Sequence, residues 1–179
     1  LIHGLDPNEY LDLPKEPRVV MSLSPGGLDK YYNRSLVTAI KSAVLEKTGL
    51  EVIHTNVNYD VKDWQDYKEL LGSSLISIYP FKDSPMPRSR TESFLSSSCV
   101  LSSRYHNADE FIKHGVNGFI VPDNPLSYAE AIHLLINEAY GQAIEIGIQG
   151  KLMAQKYFDL DRYHDQLFYV ISEVAKGQI

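Results

Sequence analysis

Arg88, Arg90 and Glu92 stand at alternate positions in Pro-Arg-Ser-Arg-Thr-Glu, where a helix is expected to begin. A guanidinium presents a planar fork that matches phosphate oxygens, and the amides of a helix N-terminus favour the same anion. A carboxylate accepts two hydrogen bonds from a vicinal diol, and the first turn of a helix favours its negative charge. The pattern fits an anionic ligand that also carries hydroxyls. Read more plainly, Glu92 is a favourable helix-start charge and both arginines are solvated. Arg88 and Arg90, two residues apart, do not share a helix face. A second place for an anion is Gly26-Gly27, since a glycine loop lets backbone N–H groups approach a phosphate. Tyr31-Tyr32 either stacks on a ring of a ligand or packs in the core.

Other chemistry finds little support. His54, His106, His114, His133 and His164 show no metal-ligand spacing, and there is no Ser/His/Asp order, zinc signature or Walker loop. Asp159-Leu160-Asp161 has the form of a metal-binding DxD, but it opens a helix after Tyr157-Phe158 and reads as a cap. The single cysteine, Cys99, lies in an apolar run, which excludes a disulfide framework and points to a reducing, cytoplasmic setting. The 179 residues are 44% hydrophobic with a formal charge of -6. That balance suits one globular domain and argues against a general nucleic-acid or membrane-surface binder. No apolar run approaches the roughly 18 residues of a membrane span, and the first residues do not read as a signal peptide.

The elements that must position these residues alternate in type. Strand patterns are expected at Arg18 to Ser22, Glu51 to Val57, Leu75 to Tyr79, Cys99 to Ser102 and Phe119 to Val121. A long helix carries Leu36, Val37, Ile40, Val44 and Leu45 and ends before Gly49. Shorter helices are expected over Asp63 to Leu71, Arg88 to Ser97 and Ala108 to Lys113. The C-terminal third is helical. Asn124 caps a helix with Pro125 at its first position, and Ala129, Ile132, Leu135 and Ile136 form its buried face. A second helix spans Ala143 to Tyr157. A third places Tyr163, Leu167, Val170, Ile171 and Val174 on one stripe, with Asp159 or Asp161 as cap. Strands separated by helices imply an α/β, doubly wound parallel sheet of Rossmann-like type. Such sheets bind ligands at the carboxyl ends of their strands, so the loops after Leu23, Val57, Tyr79 and Ser103 are candidate site walls.

From Pro80 onward the order of motifs resembles the C-terminal domain of retaining glycosyltransferases of the group 1 type, which have the GT-B fold. In that family a strand ending in Pro is followed by Glu-Gly-Phe-Gly and a helix opening Glu-Ala-Met-Ala-x-Gly. A Pro-Val-Val strand and a Glu-x-Ile-x-x-Gly-x-Asn-Gly segment come next. The corresponding residues are Pro80, Thr91 to Ser97, Cys99-Val100-Leu101 and Glu110 to Val121, aligned without a gap. Ile2-His3-Gly4-Leu5-Asp6 is similar to the segment by which such chains cross from the acceptor to the donor domain. The closing Tyr157-Phe158 and its helix resemble the family's terminal helices.

The resemblance implies an interdomain linker over residues 1–17 and a donor-binding domain over 18–179, with an acceptor domain outside this sequence. It implies a hexosyltransferase of polysaccharide or glycoconjugate biosynthesis, inactive as an isolated domain, taking a nucleoside diphosphate sugar as donor. Neither cofactor nor metal is implied, nor a nucleic-acid partner; any peripheral membrane contact would come from the missing half. The implied nucleotide-sugar site is Gly26, Gly27, Lys30, Ser84, Arg88, Arg90, Thr91 and Glu92. Within it, Glu92 takes the ribose hydroxyls, and Lys30 and Arg90 act catalytically on the diphosphate. Placing Lys30 there requires a one-residue shift, and Arg34 is the alternative. Glu110 aligns near the site or simply braces a turn. Three departures stand out: Ser84 replaces the family's first Glu, Pro85-Met86-Pro87 its glycine loop, and Ser97 its next glycine. They leave open two other outcomes, a non-catalytic nucleotide- or partner-binding domain and a nucleotide-sugar epimerase of GT-B fold.

Overall fold

The computed structural model describes residues 3–22, 28–55, 57–83, 87–105 and 108–177. Five strands form one sheet in the order β2-β1-β3-β4-β5: β1 (Glu16–Met21), β2 (Ile53–His54), β3 (Ser74–Tyr79), β4 (Cys99–Ser102) and β5 (Phe119–Ile120). Every pairing is parallel, so helices must carry the chain back between strands. They are α1 (Leu28–Tyr31), α2 (Arg34–Thr48), α3 (Trp64–Ser73), α4 (Arg88–Leu95), α5 (Ala108–Phe111), α6 (Pro125–Asn137), α7 (Tyr140–Tyr157) and α8 (Leu160–Ala175). The arrangement is the doubly wound, Rossmann-like sheet expected. Its strand order reverses between β1 and β3, and a ligand crevice opens outside the carboxyl ends of two such strands.

Burial explains why these segments take these forms. All six residues of β3 are buried, as a central strand covered on both faces requires. On α2, Val37, Ile40 and Val44 face the core at helical spacing, while Leu45 turns outward, 51% exposed. Gly49 ends α2 with φ 73°, the left-handed cap anticipated. Asn124 accepts a hydrogen bond from the Leu126 amide and so caps α6. Asp159, the nearer of the two aspartates, caps α8 through the Arg162 amide.

One expectation needs correction. The strand expected over Glu51 to Val57 shrinks to Ile53–His54. Asn58 folds back on this edge strand, accepting from the His54 amide at 2.6 Å and donating to the Val52 carbonyl at 3.1 Å. The amides of Val57 and Asn58 both bond the His54 carbonyl, so the chain turns directly after β2 and cannot extend it. The apolar stripe of α8 is not buried: no residue of this helix is, and Ile171 and Val174 are 54% and 57% exposed.

The end of α4 shows how the Ser97 departure is accommodated. Ser97 has φ 55°, with its amide bonded to the Phe94 carbonyl and the Ser98 amide to the Ser93 carbonyl. This is the left-handed helix ending that glycine adopts without strain. A Cβ on Gly147 of α7 would clash with the Ser97 carbonyl oxygen, so the two backbones meet directly.

Residues 3–15 lie packed on the domain. The Leu5 amide bonds the Phe158 carbonyl and the Leu13 amide that of Gly72. Lys15 donates at 2.6 Å to the carbonyls of Gly72 and Ser96, tying together the C-terminal ends of α3 and α4. Burial pushes the Lys15 ammonium down to about 8. By this clamp α3 and α4 are set against each other, and both carry residues of the site.

Candidate functional site

The helix α4 starts beyond the carboxyl end of β3, and Pro87 at its N-cap offers no side-chain oxygen to its first amides. Tyr79, the last residue of β3, anchors this first turn: its hydroxyl donates to the Ser89 carbonyl at 2.7 Å and lies 2.6 Å from Ser93 Oγ. From this anchored turn, side chains leave in three directions.

Glu92 points toward β1 and is 6% exposed. Its Oε1 accepts from Arg88 Nε at 3.0 Å and its Oε2 from the Tyr67 hydroxyl at 2.7 Å. Tyr67 Oη lies in turn 2.7 Å from Ser22 Oγ, just past the end of β1. The cluster therefore sits at the reversal of strand order, between β1 and β3. Arg88, one turn before Glu92, keeps 65% of its side chain exposed.

Arg90 points the other way, toward the carboxyl end of β4. It is 4% exposed, and its one hydrogen bond among the described residues is a long contact of 3.5 Å to Ser102 Oγ. No carboxylate among the described residues pairs with it. Burial pushes its guanidinium down to about 10, so it remains a cation at neutral pH. A buried charge is ordinarily paired, because desolvation without a partner is costly. This one faces the strand ends without a carboxylate partner among the described residues.

Thr91, also buried, meets the segment before β1: its Oγ1 is 3.1 Å from His3 Nε2. The His3 ring stacks on Phe158 with centroids 5.2 Å apart. Burial, then the positive charges of Arg88 and Arg90, lower the His3 pKa below 6.5.

The structure brings Arg88, Arg90, Thr91 and Glu92 together on α4. Lys30 lies at the surface in the last turn of α1, its ammonium 4.9 Å from the centre of the Tyr31 ring, and the proximity of Tyr31 and Asp83 raises its pKa. The amides of Lys82 and Asp83 bond the Tyr31 carbonyl, so α1 and the loop after β3 form one rim. Gly26, Gly27 and Ser84, with Pro85, Met86 and His106, lie outside the described residues. Tyr32 is a core residue packed 4.9 Å from Phe81. Glu110 is exposed on α5. Burial pushes the Cys99 thiol up to about 12, which leaves it unreactive. Among the described residues no group of three or more His, Cys, Asp or Glu can hold a metal ion. No described helix is long and apolar enough to cross a membrane.

Sequence reasoning did not single out Tyr67 or Ser22. Tyr67 stands 25 residues before Glu92 and on another helix, so only the crossing of α3 and α4 makes the contact.

The family described as Glycosyl transferases group 1 matches residues 54–151, more than half of the chain and the whole of the Tyr67–Glu92 region. The chain belongs to this family. No curated protein sequence matches it. Among solved structures, HepE from Anabaena in complex with UDP and glucose aligns with a TM-score of 0.71 at 19% identity, over 95% of this chain and 55% of HepE. Sucrose-phosphate synthase from Thermosynechococcus elongatus aligns with a TM-score of 0.74 at 13% identity, over 98% and 52% of the two chains. The C-terminal domain of the group 1 glycosyl transferase LpcC from Francisella tularensis is covered completely by 88% of this chain, with a TM-score of 0.61 at 14% identity. At such identities the likeness is one of fold. The chain spans about half the length of the first solved structures that it matches.

Proposed function

We propose that this chain is the donor-binding half of a hexosyltransferase, which moves a sugar from a nucleoside diphosphate to an acceptor held by a second, N-terminal domain. The observation that carries the reading is Arg90, a buried cation without a carboxylate partner among the described residues, at the carboxyl edge of a parallel sheet. The diphosphate is its counter-ion. Glu92 takes the ribose hydroxyls, with Arg88 and Thr91 on the same helix start. As the bond between the anomeric carbon and the diphosphate breaks, the electron pair goes to the diphosphate. Arg90 and Lys30 meet the added charge, in place of a metal. That HepE has been solved with UDP-glucose supports a donor of this class. The exposed apolar face of α8, with Phe168 and Tyr169 68% and 65% exposed, supports a second domain packed against it.

Calorimetric titration with UDP, GDP and dTDP tests the reading. At least one is expected to bind, and Glu92→Ala to weaken it. Binding of none, or undiminished binding by Glu92→Ala, overturns the site. Ser84 in place of the family's first Glu favours a second reading, nucleotide-sugar binding without transfer. A protein carrying both domains that binds a sugar nucleotide yet never consumes it would establish that alternative.

A further inference from the structure

Glu92 is held by more than a helix-start position explains. Among the described residues its two oxygens are engaged once each, by Arg88 and by Tyr67. An ionised carboxylate offers about four acceptor sites, so each oxygen keeps one, as a pair of adjacent hydroxyls requires. Arg88 alone is a poor orienting partner, because 65% of its side chain is exposed and a solvated side chain of that length samples several rotamers. Tyr67 is different. Its ring stacks on Trp64 with centroids 5.4 Å apart, and its hydroxyl sits between Glu92 and Ser22, 2.7 Å from each. A phenol has one proton. Glu92 can only accept, so that proton goes to Oε2 and the Ser22 hydroxyl donates to the phenol oxygen. Burial and the neighbouring carboxylate hold the phenol proton on well above its ordinary range, so Tyr67 remains a donor at any working pH.

We propose that Tyr67 is a positioning residue: anchored by Ser22 at the end of β1, it fixes the plane of the Glu92 carboxylate and makes the site selective for a ribose diol over a 2′-deoxyribose. The proposal rests on the donor-site reading above and adds the residue that sets its sugar selectivity. Without the phenol proton, Glu92 keeps Arg88 as its one side-chain partner among the described residues and turns toward it, so its free acceptor sites no longer face both hydroxyls. A nucleotide lacking the 2′-hydroxyl makes only one of those bonds and has less to lose.

The test is calorimetric titration with UDP, GDP and ADP, each paired with its 2′-deoxy form, for wild type, Tyr67→Phe and Glu92→Gln. Wild type is expected to prefer the ribo form of the nucleotide that it binds. Tyr67→Phe is expected to lower that affinity by about tenfold, the effect of one hydrogen bond to a charged group, and to weaken the deoxy form much less. The ribo-to-deoxy ratio then falls toward one. An unchanged ratio, or an equal loss for both forms, overturns the proposal, since a merely structural tyrosine would weaken both alike. Were Tyr67→Phe not to fold, Ser22→Ala removes the bond that orients the phenol; an unchanged ratio there overturns the proposal equally. Glu92→Gln separates the two ideas. If it loses the ratio while Tyr67→Phe keeps it, only the Tyr67 role falls. If wild type binds none of the nucleotides, or Glu92→Gln keeps the ratio, the donor-site reading falls and takes this proposal with it.

Discussion

Replacing Arg90 by methionine is expected to stabilise the unliganded fold and to abolish nucleotide binding. Arg90 is 4% exposed, and burial lowers its guanidinium from its ordinary value to about 10. At about 1.36 kcal/mol per pKa unit, holding that charge in the empty site costs about 3 kcal/mol. Methionine keeps most of the apolar stem and adapts to irregular space. Imperfect packing takes back part of the gain, leaving about 1–3 kcal/mol. For a domain of this size each kcal/mol moves the thermal midpoint by about 2–4 °C, so a rise of several degrees is expected. Scanning calorimetry with and without UDP, GDP and dTDP provides the assay. The wild-type midpoint rises with the nucleotide that binds, by linkage, and that of Arg90→Met does not. A variant that melts below wild type and still gains midpoint with nucleotide would refute the reasoning, and Arg90 would then be a structural residue.

Ser97→Gly is expected to stabilise the fold by about 1 kcal/mol in urea unfolding. It relieves a left-handed backbone costing about 1–2 kcal/mol, offset in part by the greater unfolded-state freedom of glycine, and removes a buried hydroxyl that has no hydrogen-bond partner among the described residues. His3 ties pH to both stability and binding. Its folded pKa lies below the unfolded value of 6.5, so its contribution to stability is present above pH 6.5 and is lost as pH falls through the folded pKa. A bound diphosphate offsets the charges of Arg88 and Arg90 and raises the His3 pKa, so nucleotide binding near pH 6 takes up protons. Calorimetry in two buffers of different ionisation enthalpy measures that uptake; the signal is the difference from His3→Gln, since the nucleotide's own phosphate titrates in the same range. Equal uptake by both proteins would exclude the coupling.

Local patterns carried much of this fold. Gly49 after the α2 stripe, Asn124-Pro125 at the start of α6 and the buried strand β3 are readable because caps and burial periodicity act over a few residues. The motif order from Pro80 to Val121 pointed to the family, and the placing of Arg88, Arg90, Thr91 and Glu92 at one helix start followed from it. The extent of β2 was not readable, because Asn58 competes for its backbone through a turn that no strand propensity registers. The exposure of α8 was not readable either: an apolar stripe marks a face that seeks a partner, and does not say whether the partner is in the same domain.

By itself the sequence determined the helix start that carries Arg88, Arg90, Thr91 and Glu92, because helix periodicity and helix starts are local properties. Only the tertiary structure decided how they differ. Arg88 and Arg90, nearly equivalent in the sequence, become a solvated partner of Glu92 and a buried cation with no carboxylate partner among the described residues, because the helix turns one toward Glu92 and the other toward the end of β4. Tyr67 and Ser22 join the site solely because the strand order reverses between β1 and β3 and α3 packs there beside α4. Contacts between distant segments depend on how whole elements cross, and no local pattern encodes that.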